Sequence, residues 1–143
     1  MKKAITPFVV GLIKHKNRYL LTKRVDLGTE DPKEFRGKWQ IPGGGIDFGE
    51  TAEEAVVREI KEELDVEINI IRIVPYFINS MRKTWQGIGI VFLCKPLKNI
   101  FKIKLDKEAS AYEWFTYDEI MKLDVLPGGK EAIRAATEVT GKN

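Results

Sequence analysis

The sequence predicts an α/β sandwich, with a mixed β-sheet held between helices. Three observations carry this expectation. β-prone segments rich in Val, Ile and Phe alternate with segments of helical periodicity. The near-continuous apolar run Gly87–Lys95 (GIGIVFLCK) has the character of a central strand. No repeat, linker or low-complexity stretch divides the 143 residues, 43% of them apolar, so one domain over residues 1–143 is expected.

Taken in order, Ile5–Lys14 reads as a mostly buried strand, and Arg18–Arg24 (RYLLTKR) as the strand returning from a turn at residues 15–17. The start (MKKAITPFVVGLIKHKN) is basic and then apolar, like a signal peptide. It lacks a small-residue cleavage site and reads as the first strand. His15, the one histidine, is expected to be a solvated turn residue. Residues 25–37 carry Gly, Pro and several charges and read as an irregular loop, followed by Lys38–Pro42 (KWQIP) and a glycine turn.

Thr51 with Glu54 three residues on is a capping-box signature. From Ala52 to Leu64 there is no Gly or Pro, and Val56, Val57, Ile60 and Leu64 fall on one helical stripe. Beyond the helix, residues 67–79 are β-prone, with Pro75 marking an edge or a bulge. Residues 80–86 read as a turn or loop, 96–107 as a polar connection and 111–116 as a last strand. Two helices are expected at 117–123 and 129–140, split by Leu126-Pro127-Gly128.

Net charge is only +3 with both signs interleaved, so no extended nucleic-acid or membrane partner is required. The lone Cys94 lies in an apolar run, excludes an intrachain disulfide and suits a cytoplasmic location. No apolar run approaches membrane-spanning length. Homodimerisation is open, with no heptads to decide it.

The chemistry points to the segment from Gly44 to Val66 and the glycine turn that opens it. Gly43, Gly44 and Gly45 let the backbone approach another group closely. Glu59, Glu62 and Glu63 fall on an arc of roughly 100° beside the apolar stripe, and Glu50 sits just before the helix at its positive end. A glutamate-rich helix face is commonly a solvated surface. Three carboxylates crowded on one arc nevertheless repel one another unless a cation joins them, and hard oxygen ligands suit Mg²⁺ or Mn²⁺.

The offsets decide between these readings. Gly44, five residues, Glu50, seven residues and then Arg58-Glu59-Ile60-Lys61-Glu62-Glu63 resemble the Nudix box, G-x5-E-x7-R-E-U-x-E-E-x-G-U. Asp65 stands where that pattern has Gly, just after the helix, where a left-handed residue closes the last turn. The resemblance implies the Nudix α/β/α sandwich and hydrolysis of a diphosphate linkage in a nucleotide substrate. It implies Glu59, Glu62 and Glu63 as metal ligands, with the carbonyl of Gly43 as an additional one. It makes Arg58 an orienting partner of Glu50, and Glu59, Glu62 or an acid outside the box the general base. Glu108 is the best match to that outside acid and Glu113 the fallback.

Arg24 and Lys23 end the second strand, where the family often carries a phosphate contact. Trp39 is a candidate for stacking on a base or for packing on the core. Gly44 and Gly45 are candidates for close substrate approach. A base pocket is expected from Trp39, Tyr76 or Phe77, Trp85 and the turn at 126–129. Family markers for ADP-ribose or dinucleoside polyphosphates are missing downstream of the box. A MutT-like pyrophosphohydrolase releasing nucleoside monophosphate and pyrophosphate is therefore expected. The alternatives are an ADP-ribose or nucleotide-sugar pyrophosphatase, an enzyme acting on capped RNA ends, or a non-catalytic nucleotide-binding module.

Overall fold

The structure, a computed structural model, describes residues 3–24, 35, 37–107 and 109–140. Its strands are β1 (Ala4–His15), β2 (Arg18–Arg24), β3 (Trp39–Gln40), β4 (Gly43–Gly45), β5 (Ile68–Met81), β6 (Trp85–Pro96) and β7 (Ala109–Phe115). The helices are α1 (Ala52–Leu64), α2 (Tyr117–Met121) and α3 (Gly129–Thr140). The strands join in the order β3-β2-β1-β6-β5, with β4 added to β1 and β7 to β2. β1 and β6 run parallel over ten paired positions and the other pairs are antiparallel, so the sheet is mixed as expected.

β1 changes partner along its length. Phe8–Val10 pair with the glycines of β4, whereas Lys14 and His15 pair with β2. Alternation along the strand then divides the core in two. Val10 and Leu12 face Ile120, Ile133 and Ala136 of α2 and α3, while Val9 and Ile13 face Ala55, Val56, Ile60 and Leu64 of α1. Each fully buried aliphatic side chain is worth about 1.5–3 kcal/mol, so α1 is fastened mainly by this inner stripe. Gly11 lets it approach: a Cβ there would meet Val56 Cγ2 at 3.1 Å and Ile60 Cδ1 at 3.2 Å.

Several expectations need correction. Val57 is 39% exposed, and Ala55 takes its place in the stripe with Val56, Ile60 and Leu64. Residues 80–86 are largely strand: Ser80 pairs with Gly87 and Met81 with Gln86, leaving a short turn at 82–84. At Pro75 the expectation holds: β5 is an edge strand, and its register shifts between Ile73 and Phe77. His15 is not a solvated turn residue, since its ring lies 5.2 Å from Phe101 and 5.8 Å from Trp114. Cys94 is fully buried, as its apolar run led one to expect, and burial pushes its thiol up to about 12.

The connection from β6 to β7 has no regular structure through residue 107, yet it is anchored. Lys104 N–H donates to Leu64 O and Asp106 N–H to Glu63 O, both at 2.9 Å, satisfying carbonyls at the end of α1 that have no partner within the helix. Phe101, Ile103 and Leu105 meanwhile pack on the α1 side of the core. Among the described residues no helix is long and apolar enough to cross a membrane.

Candidate active site

α1 begins with the expected box. Thr51 Oγ1 accepts from Glu54 N–H at 3.0 Å, and Glu54 Oε1 accepts from Thr51 N–H at 2.9 Å. Its far end is closed by Asp65 at φ 57°, with the Asp65 N–H donating to Lys61 O. Asp therefore supplies the left-handed turn for which the box pattern has glycine, at the conformational cost that a Cβ carries there. Lys61 Nζ lies 3.0 Å from the Asp65 carboxylate, a surface pair.

Arg58 is the hub of the acidic face. Its Nε donates to Glu50 Oε2 at 2.7 Å and its Nη2 to Glu50 Oε1 at 2.9 Å, a bidentate pair. Nη1 reaches Glu59 Oε1 at 3.0 Å and Glu62 Oε2 at 3.1 Å, and Nη2 also donates to Gly45 O at 3.0 Å. One guanidinium thus ties three glutamates of the box to the glycine turn. Hydrogen bonds from Arg58, then from the Asp47 N–H, hold the Glu50 carboxyl down at about 2. Glu50 in turn raises the Arg58 pKa further above its ordinary range.

The three ligand candidates are more divided than the helical arc suggests. Glu62 is 57% exposed and leans on Arg58. Glu59 lies against the glycine turn: a Cβ on Gly44 would stand 2.4 Å from Glu59 Oε2, so only glycine leaves room for that carboxylate. Glu63 is buried, its Oε2 accepting from Gly43 N–H at 3.2 Å. Among the described residues no three acidic, histidine or cysteine side chains already stand in a chelating group. Arg58 draws Glu59 and Glu62 to itself while Gly43 holds Glu63, which is why the expected cluster is spread. The donor set still fits a hard divalent cation: carboxylate oxygens of Glu59 and Glu63 face a glycine turn stripped of side chains.

A cavity of about 580 Å³ opens over β1, lined by Gly43, Gly44, Gly45 and Glu63 on the acidic side. Across β1 it is walled by Ile78 and Met81 of β5, Trp85 of β6 and the Leu126–Pro127 turn. Of the residues from which a base pocket was expected, Trp85 and this turn line the cavity. Tyr76 and Phe77 do not line it. Trp39 does not either, and the packing alternative holds: its ring stands edge-on to Phe115 at 5.0 Å. Lys23 covers the Trp39 ring at 5.7 Å and is away from the cavity, whereas Arg24 lines it and donates to Gln40 Oε1 at 3.1 Å. Glu113 is exposed on β7 and does not line the cavity. Glu108 lies outside the described residues.

Phe8, Gln40, Ile78 and Arg82 line the cavity without having been singled out from the sequence. The Arg82 guanidinium stacks over Trp85 at 4.7 Å and over Phe35 at 5.7 Å. Only an apolar-polar break at Ile78–Arg82 hinted at a change of surroundings there.

The profile of the NUDIX domain matches residues 2–136, nearly the whole chain. The protein belongs to the Nudix hydrolase family. It is 31% identical over 136 residues to the nucleoside triphosphatase NudI of Escherichia coli (strain K12 / DH10B), covering 88% of this chain and 92% of that protein. A 33% identity over 112 residues with a Caenorhabditis elegans protein covers 76% of this chain but 29% of that longer one. In structure, the MutT protein of Methanosarcina mazei Go1 superposes with a TM-score of 0.78 at 26% identity, over 99% of both chains. Nudix hydrolases act on pyrophosphate bonds and generally need a divalent metal, so the box, the sandwich and the hydrolase class stand together.

Proposed function

We propose that this Nudix hydrolase uses Mg²⁺ to hydrolyse a nucleoside triphosphate, with water, to the nucleoside monophosphate and pyrophosphate. The observation that carries the reading is the two-sided cavity: Glu63 and the glycine turn on one side of β1, and an apolar wall with Trp85 on the other. The acidic side suits a cation-bridged polyphosphate and the apolar wall suits a flat base. The similarity to a nucleoside triphosphatase supports the same choice over ADP-ribose or a nucleotide sugar.

Glu59, Glu62 and Glu63, with the carbonyl of Gly43, would hold the ion, and Mn²⁺ could replace it. The ion supplies charge neutralisation on the phosphates and a lowered pKa for the attacking water. Arg58 positions Glu59 and Glu62 and locks them to the loop through Gly45 O. Glu50 acts behind Arg58 and keeps its guanidinium in place. Glu62, the most exposed of the three glutamates bonded to Arg58, takes the proton from the attacking water.

A steady-state panel of nucleoside triphosphates, ADP-ribose and nucleotide sugars, with Mg²⁺ and with chelator, tests this. Metal-dependent release of monophosphate and pyrophosphate from triphosphates is expected. Turnover confined to the sugar diphosphates would overturn the substrate assignment, and no turnover of any would overturn the catalytic one.

A further inference from the structure

Gln40 stands on β3 opposite Thr22 of β2 and lines the cavity beside Arg24, three residues before the glycine turn. Arg24 Nη1 donates to Gln40 Oε1 at 3.1 Å. An amide can ordinarily be turned either way, but a guanidinium carries donors only, so Gln40 must present its oxygen to Arg24. Its Nε2 then keeps both hydrogens for a ligand and has no partner among the described residues. The β2–β3 wall therefore offers an oriented N–H donor in a cavity whose far wall is largely apolar.

Nucleobases differ at one exocyclic position in a way such a wall can read. An oxo group there accepts a hydrogen bond, whereas an amino group sets donors against donors. We infer that Gln40, oriented by Arg24, selects bases by this substituent. It favours the oxo member of each pair (hypoxanthine or guanine, uracil or thymine) over the amino member (adenine, cytosine). This rests on the triphosphate reading above and adds the class of base.

Two matched pairs change this substituent, together with the ring nitrogen beside it, and nothing else: dITP against dATP, and dUTP against dCTP. In the wild type the oxo member should have the higher kcat/KM by about tenfold or more, the penalty of an unmatched buried donor. Gln40→Leu removes the donor and should bring both ratios within about threefold of unity. Gln40→Glu offers Arg24 the same acceptor but turns only acceptors to the base, and should move both ratios toward the amino member. Equal turnover within each pair by the wild type, or ratios unchanged in both variants, overturns the inference. Calorimetric titration with dIMP and dAMP reads the pocket without hydrolysis. Tighter binding of dIMP that disappears in Gln40→Leu supports the base reading even if no triphosphate is cleaved, and equal affinities overturn it.

Discussion

The two sides of the cavity are built by different means. On the acidic side one helix and one turn supply every group: Glu63 lines the cavity, and beside it a single arginine holds Glu50, Glu59 and Glu62, which do not line it, to each other and to the backbone. On the apolar side Phe8, Ile78, Trp85 and Leu126 come from β1, β5, β6 and the turn before α3, and no polar hub joins them. On the function proposed above, chemistry that must be placed to within a fraction of an ångström would lie on one helix and its adjoining turn, and recognition, which tolerates variation, would be shared among four elements.

This contrast predicts that damage on the two sides has different signatures. The largest effect is expected from Glu62→Gln, which keeps the shape but removes a charged oxygen from the acid set. It should lower kcat by about 100-fold or more with an unchanged melting temperature, because several kcal/mol of transition-state stabilisation depend on the charge. A near wild-type rate would show that the exposed acid is no part of the machinery.

Neighbouring glycines should separate chemistry from folding. A Cβ at Gly43 would lie 2.0 Å from Val9 O and 2.6 Å from Val10 Cα, both backbone atoms of the central strand. Gly43→Ala should therefore cost about 1–3 kcal/mol or more in denaturant unfolding. At Gly44 the obstacle is the end of the Glu59 side chain, which can swing away. Gly44→Ala should unfold near the wild-type midpoint while losing about 10–100-fold in rate as a carboxylate is displaced. Equal stability losses in the two variants would contradict the division.

On the other side, Trp85→Ala should raise KM by about tenfold, since stacking on an aromatic face is worth about 1–3 kcal/mol per base, and leave kcat within about threefold. A matching fall in kcat would mean that the apolar wall shares in the chemistry. Smallest is the acid response. The folded-state pKa of Glu50 lies at about 2, below its ordinary 4.5, so its stabilisation is complete above the ordinary value and is lost as pH falls through the folded one. The stability difference between wild type and Glu50→Gln, followed by urea midpoints, should shrink between pH 4.5 and 2. A constant difference over that range would rule out titration of this carboxylate as its source.

The same contrast explains what the sequence disclosed. The capping box and α3 depend on residues close in the chain, so spacing placed them, and the resemblance to the box pattern placed the Arg58–Glu50 pair. Asp65 in a left-handed turn was legible for the same reason. Gln40 was not: it gains meaning only because register brings it beside Arg24, sixteen residues away. The Ser80–Gln86 hairpin follows from pairing between β5 and β6. Helical periodicity placed the acids on one arc but could not show that a guanidinium would part them.

The irregular run from Phe101 to Asp106 behaves as a clasp on α1. Its amides grip Leu64 O and Glu63 O from outside, so the final turn is secured by a distant piece of chain as well as by its own cap. Were that grip loosened, fraying would begin at Glu63 itself, and the carboxylate behind the glycine turn would be the first group to lose its place.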